Sequence, residues 1–385
     1  MTRDPIEGAR DCLVGKKALA GTKLLSNRIG PSIAAAIVLA TVLGFAAAPN
    51  ARAETQLPFP RPASIEPNVE FWVNVFTAYS ERDFVVVDKD NVSRNYQVYH
   101  LPGDGQPTRE DIDWANAYLK LKYSDMLNRL ASGHEPDNDE ERRVAAMFKG
   151  EPPTAYATAA QNLRVQEGLR ERFHEGLLRS RYYRPTMERI FRTAGVPPEL
   201  VTLAHVESGF YGGSRSSAGA VGIWQFTRDT GKHYMKITRY HDDRLNPDRE
   251  TMAAAKLLRS NYDTLGDWPL AITAYNYGTG GVARAASIYG GDYSEMVEHY
   301  NGPHFGFAVK NYYAEFLAAM QVHRNEDKYF PGIEDEAAIR PAPIKTDFPR
   351  PRHSTKSHTS GVRHVSLHHA SSKTHHSKKT VAQKA

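Results

Sequence analysis

Apolar residues recur at helical spacing along nearly the whole chain, and that periodicity restricts its fold more than any other feature. The segment "EPNVEFWVNVFTAYS" sets Val69, Trp72, Val75, Phe76 and Tyr79 on one stripe, and "QNLRVQEGLRERFHEGLLRS" does the same with Leu163, Leu169, Phe173 and Leu177. "RPTMERIFRTAG" continues the pattern to a glycine stop at Gly195. Thr108 with Asp111 forms a capping-box pattern that predicts a helix to about Leu130. One run departs: "DFVVVDKDNVSRNYQVYHL" places β-branched and aromatic residues on either side of Asp88-Lys89-Asp90-Asn91, which predicts a hairpin. The expected class is mainly α with a single small hairpin. With 385 residues, 41% of them hydrophobic, the chain can bury a substantial core in one large or two moderate domains.

The two ends differ from the body. Lys16, Lys17, Lys23 and Arg28 precede the uncharged run "IGPSIAAAIVLATVLGFAAA", and Ala51-Arg52-Ala53 is a small-x-small cleavage pattern. Residues 1–53 are therefore expected to be a signal peptide cut after Ala53, the alternative being an uncleaved anchor of membrane-spanning length. Either way the body is exported to the periplasm or cell envelope. From Phe348 onward there are eight Lys/Arg, seven His and no acid among Ser and Thr, so a disordered basic tail is expected. The tail contributes +8 and the leader +4 to a formal net charge of +5, which leaves −7 on residues 54–347. The basic balance thus belongs to the ends, and it favours salt-sensitive contact of the tail with anionic envelope polymers over nucleic-acid binding, for which no module is present.

The sole cysteine, Cys12, lies in the leader. A chain starting at residue 54 has no disulfide, thiolate nucleophile or Cys-ligated zinc to offer. His205-Val206-Glu207 mimics the H-x-E of zinc deaminases, but the P-C-x-x-C that must accompany it is missing, and His233 and His241 lack metalloprotease spacing. No metal or other cofactor is expected. Asn91-Val-Ser93 fits a glycosylation pattern only incidentally.

Chemistry concentrates in "HVESGFYGGSRSSAGAVGIWQF". Pro198 suits a first helical position, Leu200, Leu203 and Ala204 form an apolar face, and Gly209 supplies the stop. Glu207 then falls in the last turn, where the negative end of the helix dipole raises a carboxyl pKa by less than about one unit and burial adds several more. Such an acid stays protonated near neutral pH, as a general acid toward a glycosidic oxygen must. A surface glutamate at a fraying helix end is the competing reading of the same residues.

The residues downstream of Glu207 carry a resemblance. Glu207-Ser208-Gly209, then Ser216, then Gly219-Ala220, Gly222-Ile223-Trp224-Gln225, and later Ala274-Tyr275-Asn276-Tyr277-Gly278 resemble the motifs of lytic murein transglycosylases with a goose-lysozyme-like (SLT) catalytic domain, most closely the membrane-bound D type. The resemblance is tightest over residues 161–323. A third family motif, Glu-Thr-x-x-Tyr-Val, keeps its tyrosine as Tyr312, while Ala308 and Val309 stand where Glu and Thr would. The resemblance implies Glu207 as the catalytic residue, with Ser216, Gln225, Tyr275, Asn276 and Tyr312 binding substrate. Tyr275 and Tyr312 would orient Glu207, and Ile223 and Trp224 would pack in the core. Gly209, Gly219 and Gly222 read as backbone devices.

The implied substrate is the glycan strand of peptidoglycan and the implied reaction is non-hydrolytic. Sugar hydrolases usually flank the bond with two carboxylates. None of the motifs supplies a second, and Asp229 downstream reads as a cap or a solvated acid. In the family's reaction one glutamate protonates the oxygen between N-acetylmuramic acid and N-acetylglucosamine, then as a base takes the C6 hydroxyl proton, and a 1,6-anhydro ring closes. A lysozyme-like hydrolase and a non-catalytic peptidoglycan-binding protein are the alternatives. The expected architecture is an N-terminal helical region over 54–195 containing the hairpin, a goose-lysozyme-like SLT catalytic lobe over 196–326, and a Pro-rich linker with the basic tail over 327–385. No LysM-like repeat is read in the sequence, and oligomeric state is not legible in it.

Overall fold

The computed structural model describes residues 57–342, so the leader and the basic tail lie outside the described residues. In chain order the elements are α1 (Glu66–Thr77), β1 (Asp83–Asp88), β2 (Asn91–His100), α2 (Arg109–Ala131), α3 (Asp139–Ala146), α4 (Thr154–Gln161), β3 (Leu163–Glu167), α5 (Arg170–Thr193) and α6 (Leu203–Ser208). Beyond these come α7 (Arg228–Tyr234), α8 (Pro247–Leu265), α9 (Trp268–Tyr277), α10 (Thr279–Ile288), α11 (Tyr293–His299), α12 (Phe307–Arg324) and α13 (Glu326–Tyr329). The class is mainly α, as the periodicity predicts. Among the described residues no helix is long and apolar enough to cross a membrane.

The predicted hairpin is present, with Lys89 and Asp90 at its turn. It is part of a three-stranded antiparallel sheet of order β2-β1-β3, and β3 corrects the helical reading of "QNLRVQEG". Leu163, Leu169, Phe173 and Leu177 share a helical spacing, but only the last two lie in α5. Arg164 to Glu167 instead pair with β1, Val86 opposite Val165 and Phe84 opposite Glu167. A short segment adopts the conformation of whichever backbone partner the fold offers, here the free edge of β1.

Strand β1 is buried on both faces, which explains its uninterrupted apolar run. Phe84 and Val86 face a smaller core with Tyr96, Leu119, Tyr123 and Leu127, under α2 and α4. Val85 and Val87 face the main core, which gathers α1, α5, α8, α9 and α12 around Trp72, Leu177, Trp224 and Phe316. That core includes residues on both sides of position 195. The capping box at Thr108 closes as predicted: the Asp111 amide donates to the Thr108 hydroxyl, and the Thr108 amide donates to the Asp111 carboxylate at 2.9 Å.

The stretch expected to begin a linker at 327 is ordered as far as the described residues run. Phe330 and Ile333 are buried, the His174 ring lies 2.8 Å from Glu336, and the Ile339 amide donates to the Leu178 carbonyl. Two apolar side chains and an edge of α5 suffice to hold it down, whatever its proline content.

A half-buried carboxyl at the candidate active site

The local sequence builds a short, sharply terminated helix. Gly195 closes α5, a 3-10 turn over Pro198–Thr202 leads into α6, and Leu203 and Ala204 are fully buried. Gly209 takes φ +57°, so the Phe210 amide reaches back to the Ala204 carbonyl at 3.1 Å and the chain turns away from the helix. The Cα of Gly209 lies against Gly176 of α5 so closely that a side chain on Gly176 would meet it at 3.3 Å. Glu207 thus sits in the last turn of a helix wedged between α5 and α12.

Tyr312, 3% exposed on α12, donates its phenolic hydrogen to Glu207 Oε1. Burial pushes the Glu207 carboxyl up to about 7 against the opposing effect of that hydrogen bond. Desolvation wins because one neutral donor offsets only part of what is lost when a carboxylate leaves water. Tyr275 is also raised well above its ordinary value, first by burial and then by the Glu207 charge, but its hydroxyl donates to the Trp224 carbonyl at 2.8 Å. Of the two tyrosines expected to orient Glu207, Tyr312 touches it. Tyr275 instead holds the loop that carries Gln225.

That loop is tied to Glu207 through the backbone. The Ser208 hydroxyl donates to the Ile223 carbonyl at 2.8 Å. Gln225 adopts φ +49° and its amide donates to the Gly222 carbonyl at 2.8 Å. Ser216 is exposed, and its hydroxyl accepts from the Ala220 amide at 3.0 Å. Asn276 is exposed at the end of α9. Gly219 and Gly222 have positive φ, as the backbone reading expected, and Ile223 and Trp224 are fully buried. Asp229 is exposed in the first turn of α7.

Two acids at the site escaped the sequence reading. Glu250 of α8 is 0% exposed, and its two oxygens accept from the Ile223 and Trp224 amides, each at 3.1 Å. Burial raises its pKa well above the usual carboxylate range although both amides pull the other way. It was legible in principle: Glu250, Ala254, Leu258 and Asn261 lie on one helical stripe, and all four are buried. The other is Glu315, one turn beyond Tyr312. Burial pushes it up to about 8 despite Arg164, and the Glu207 charge adds to the rise. The motifs contain one acid, but the folded site contains more.

Behind α6 the His205 Nε2 lies 3.0 Å from His323 Nδ1, and Arg184 reaches His323 Nε2. Both rings are held below the ordinary histidine range by burial first and by neighbouring positive charge second, His323 to about 3. They are neutral packing elements, and His205 stacks on Phe173.

Residues 188–295 match the family model described as the transglycosylase SLT domain. The matched span contains Glu207, Ser216, Gln225, Tyr275 and Asn276 and stops short of Tyr312. The membrane-bound lytic murein transglycosylase D of Escherichia coli strain K12 is 32% identical over 158 residues, 40% of this chain and 34% of that protein, and the protein of the same description from strain O6:H1 matches equally. A putative tributyltin chloride resistance protein of Alteromonas sp. strain M-1 is 35% identical over 96 residues, 24% of this chain and 45% of that one. The chain therefore spans about a third of the length of the first curated relatives it matches. Among solved structures, an inactive mutant of the lytic transglycosylase Slt from Pseudomonas aeruginosa aligns at 18% identity and a TM-score of 0.33, covering 54% of this chain and 33% of that one. Glu207 lies inside the matched span.

Proposed function

We propose that this chain is a peptidoglycan lytic transglycosylase in which Glu207 acts first as acid and then as base. The observation that carries the reading is the half-buried Glu207 carboxyl, pushed up to about 7 by desolvation and bonded to Tyr312. A group that holds its proton near neutral pH and releases it at little cost suits both halves of such a reaction. Glu207 gives its proton to the oxygen between the muramyl and glucosaminyl sugars, and that bond breaks with positive charge growing at the muramyl C1. The resulting carboxylate takes the proton from the C6 hydroxyl, whose oxygen closes on C1. One proton leaves with the glucosaminyl hydroxyl, another is taken from the C6 hydroxyl, so Glu207 ends protonated and no water is consumed.

The loop held by Glu250, Tyr275 and Ser208 fixes Gln225, whose side chain donates to the Gly222 carbonyl, and in this reading Gln225 with the exposed Ser216 and Asn276 binds the sugar. A hydrolytic route would require a second, ionised carboxylate as base or nucleophile. Burial pushes Glu315, one turn beyond Tyr312, up to about 8, which suits neither role, so the competing hydrolytic route falls to Glu175, an exposed acid lining a pocket with Glu207, and product mass separates the two. The Escherichia coli relatives, described as lytic murein transglycosylases, support the same substrate class. A leader of the expected kind would deliver the enzyme to the cell envelope, where that polymer lies.

The test is product analysis on purified sacculi. The wild-type chain should release muramyl ends lighter by one water than those from a hydrolase, and Glu207→Gln should lose at least about a thousandfold in rate while keeping its fold. Full-mass reducing ends would replace this reading with a hydrolase, and a variant that still clears sacculi would remove Glu207 from the chemistry.

A further inference from the structure

A pocket of about 550 Å³ opens between the hairpin turn, the start of α1, α11 and α12. It shares no residue with the pocket at Glu207, and none of Ser216, Gln225, Tyr275, Asn276 and Tyr312 lines it. A chain of amides sets its polarity from the inside. Asn311 of α12 is 1% exposed and lies between the Trp72 indole N–H, which can only donate, and the Phe307 carbonyl, which can only accept. Its amide therefore has one orientation, with Nδ2 at 3.0 Å from the Phe307 carbonyl and Oδ1 at 3.1 Å from Trp72 Nε1. Asn68 Nδ2 donates to the same Oδ1 at 2.9 Å, and this fixes Asn68 in turn. Its own Oδ1 is left as an acceptor that takes a hydrogen from no described residue.

The rest of the lining is balanced in charge, with Lys89 and Lys310 set against Asp90 and Glu298. Ile65, Val92 and Val297 are buried and supply an apolar surface, while the exposed Ser64, Asn91 and Asn301 bring hydroxyl and amide groups. A fixed amide acceptor, an apolar surface and uncharged polar side chains match a ligand that is itself uncharged and carries an N–H, a methyl and several hydroxyls. An N-acetylated amino sugar has these groups. We propose that the pocket is an accessory glycan site holding one such sugar of a strand: the acetamido N–H donates to Asn68 Oδ1, the acetamido methyl packs on Ile65, Val92 and Val297, and Ser64, Asn91 and Asn301 take the hydroxyls. The inference rests on the proposed function for the identity of the polymer and adds a hold on it away from the reacting bond. Helix α12 serves both places, with Asn311 behind this pocket and Tyr312 on Glu207. A strand engaged at both leaves more slowly than one engaged at the acid alone.

The experiment follows the indole N–H signals of the four tryptophans by NMR while the isotope-labelled chain is titrated with a soluble β-1,4-linked N-acetylglucosamine trimer. Trp72 reports on the amide chain through its bond to Asn311, and Trp224, beside Gln225 and bonded to Tyr275, reports on the reaction centre. Trp72→Phe assigns the first signal. Both signals should move saturably, and Asn68→Ala should abolish the Trp72 shift while leaving the Trp224 midpoint in place. Because N68A also removes a bond to Asn311, the exposed Asn301→Ala, outside the amide chain, supplies a second variant and should raise the Trp72 midpoint about threefold. The same trimer without its acetyl groups should leave Trp72 unmoved. A Trp72 signal that stays put while Trp224 moves, that moves alike in wild type and both variants, or that answers the two trimers equally overturns the inference and leaves the proposed function standing. A trimer that moves neither signal also overturns it, and the products from sacculi then decide the proposed function separately.

Discussion

Burial and one opposing hydrogen bond set where the Glu207 carboxyl titrates. Burial raises its carboxyl and the Tyr312 hydroxyl pulls it back, so the value near 7 is a balance of two opposed effects. Tyr312→Phe removes only the lowering one, and the carboxyl should rise further. In the proposed reaction Glu207 begins protonated, so the alkaline limb of the kcat/KM profile should move to higher pH in the variant, with kcat down roughly tenfold from lost orientation. A limb that stays put or moves down would show that the phenol does not act on this carboxyl. The sequence made Tyr312 and Glu207 visible as separate motif residues. The resemblance implied that both Tyr275 and Tyr312 orient Glu207, and the fold makes the contact across 105 positions of chain through Tyr312 alone.

At the scale of elements, the loop from Gly219 to Phe226 is shaped by α8, a helix later in the chain. Glu250 offers two oxygens to two consecutive amides, and the close approach this requires leaves no space at Gly222: a Cβ there would collide with the Arg244 carbonyl oxygen and with Glu250 itself. With φ at +88°, Gly222→Ala also incurs the left-handed penalty of about 1–2 kcal/mol. The variant should lose about 2–4 kcal/mol in a denaturant titration, since the clamp must open as well. A loss below about 1 kcal/mol would mean that the clamp is looser than described. The positive φ of Gly222 was foreseeable from the motif. The stripe of Glu250 with Ala254, Leu258 and Asn261 marked Glu250 as inward-facing, but which loop it would meet depends on how α8 packs. β3 escaped for a related reason, since its residues take their conformation from the strand edge beside them.

Over the whole molecule, the buried histidines couple stability to pH. His323, near 3 in the fold and near 6.5 when unfolded, resists a proton that the unfolded chain accepts. Its contribution is complete above pH 6.5 and falls as pH drops from there toward 3, by about 1 kcal/mol per pH unit. Glu207 and Glu315 act in the opposite sense, because their raised folded values give stability that is present below about 4.5 and is lost as pH rises through 7 and 8. Replacing His323 with Gln should therefore flatten the acid side alone. Chemical denaturation at about pH 7 and about pH 4.5 should show a smaller drop for the variant than for wild type, and identical drops would mean that His323 is not the responsible group.

The sequence alone determined the helical class, the hairpin, the capping box, the αL glycine that stops α6, and an acid placed just before it. Each of these is set by residues within about one helical turn or one β-turn of each other, where spacing and side-chain type act directly on the backbone. Only the tertiary structure decided that Tyr312 and not Tyr275 meets Glu207, that Glu250 grips the loop, that burial raises Glu315, and that α5 lines a pocket with Glu207. Those outcomes depend on desolvation and on contact between distant segments, and neither quantity is defined for a residue until the chain has closed around it.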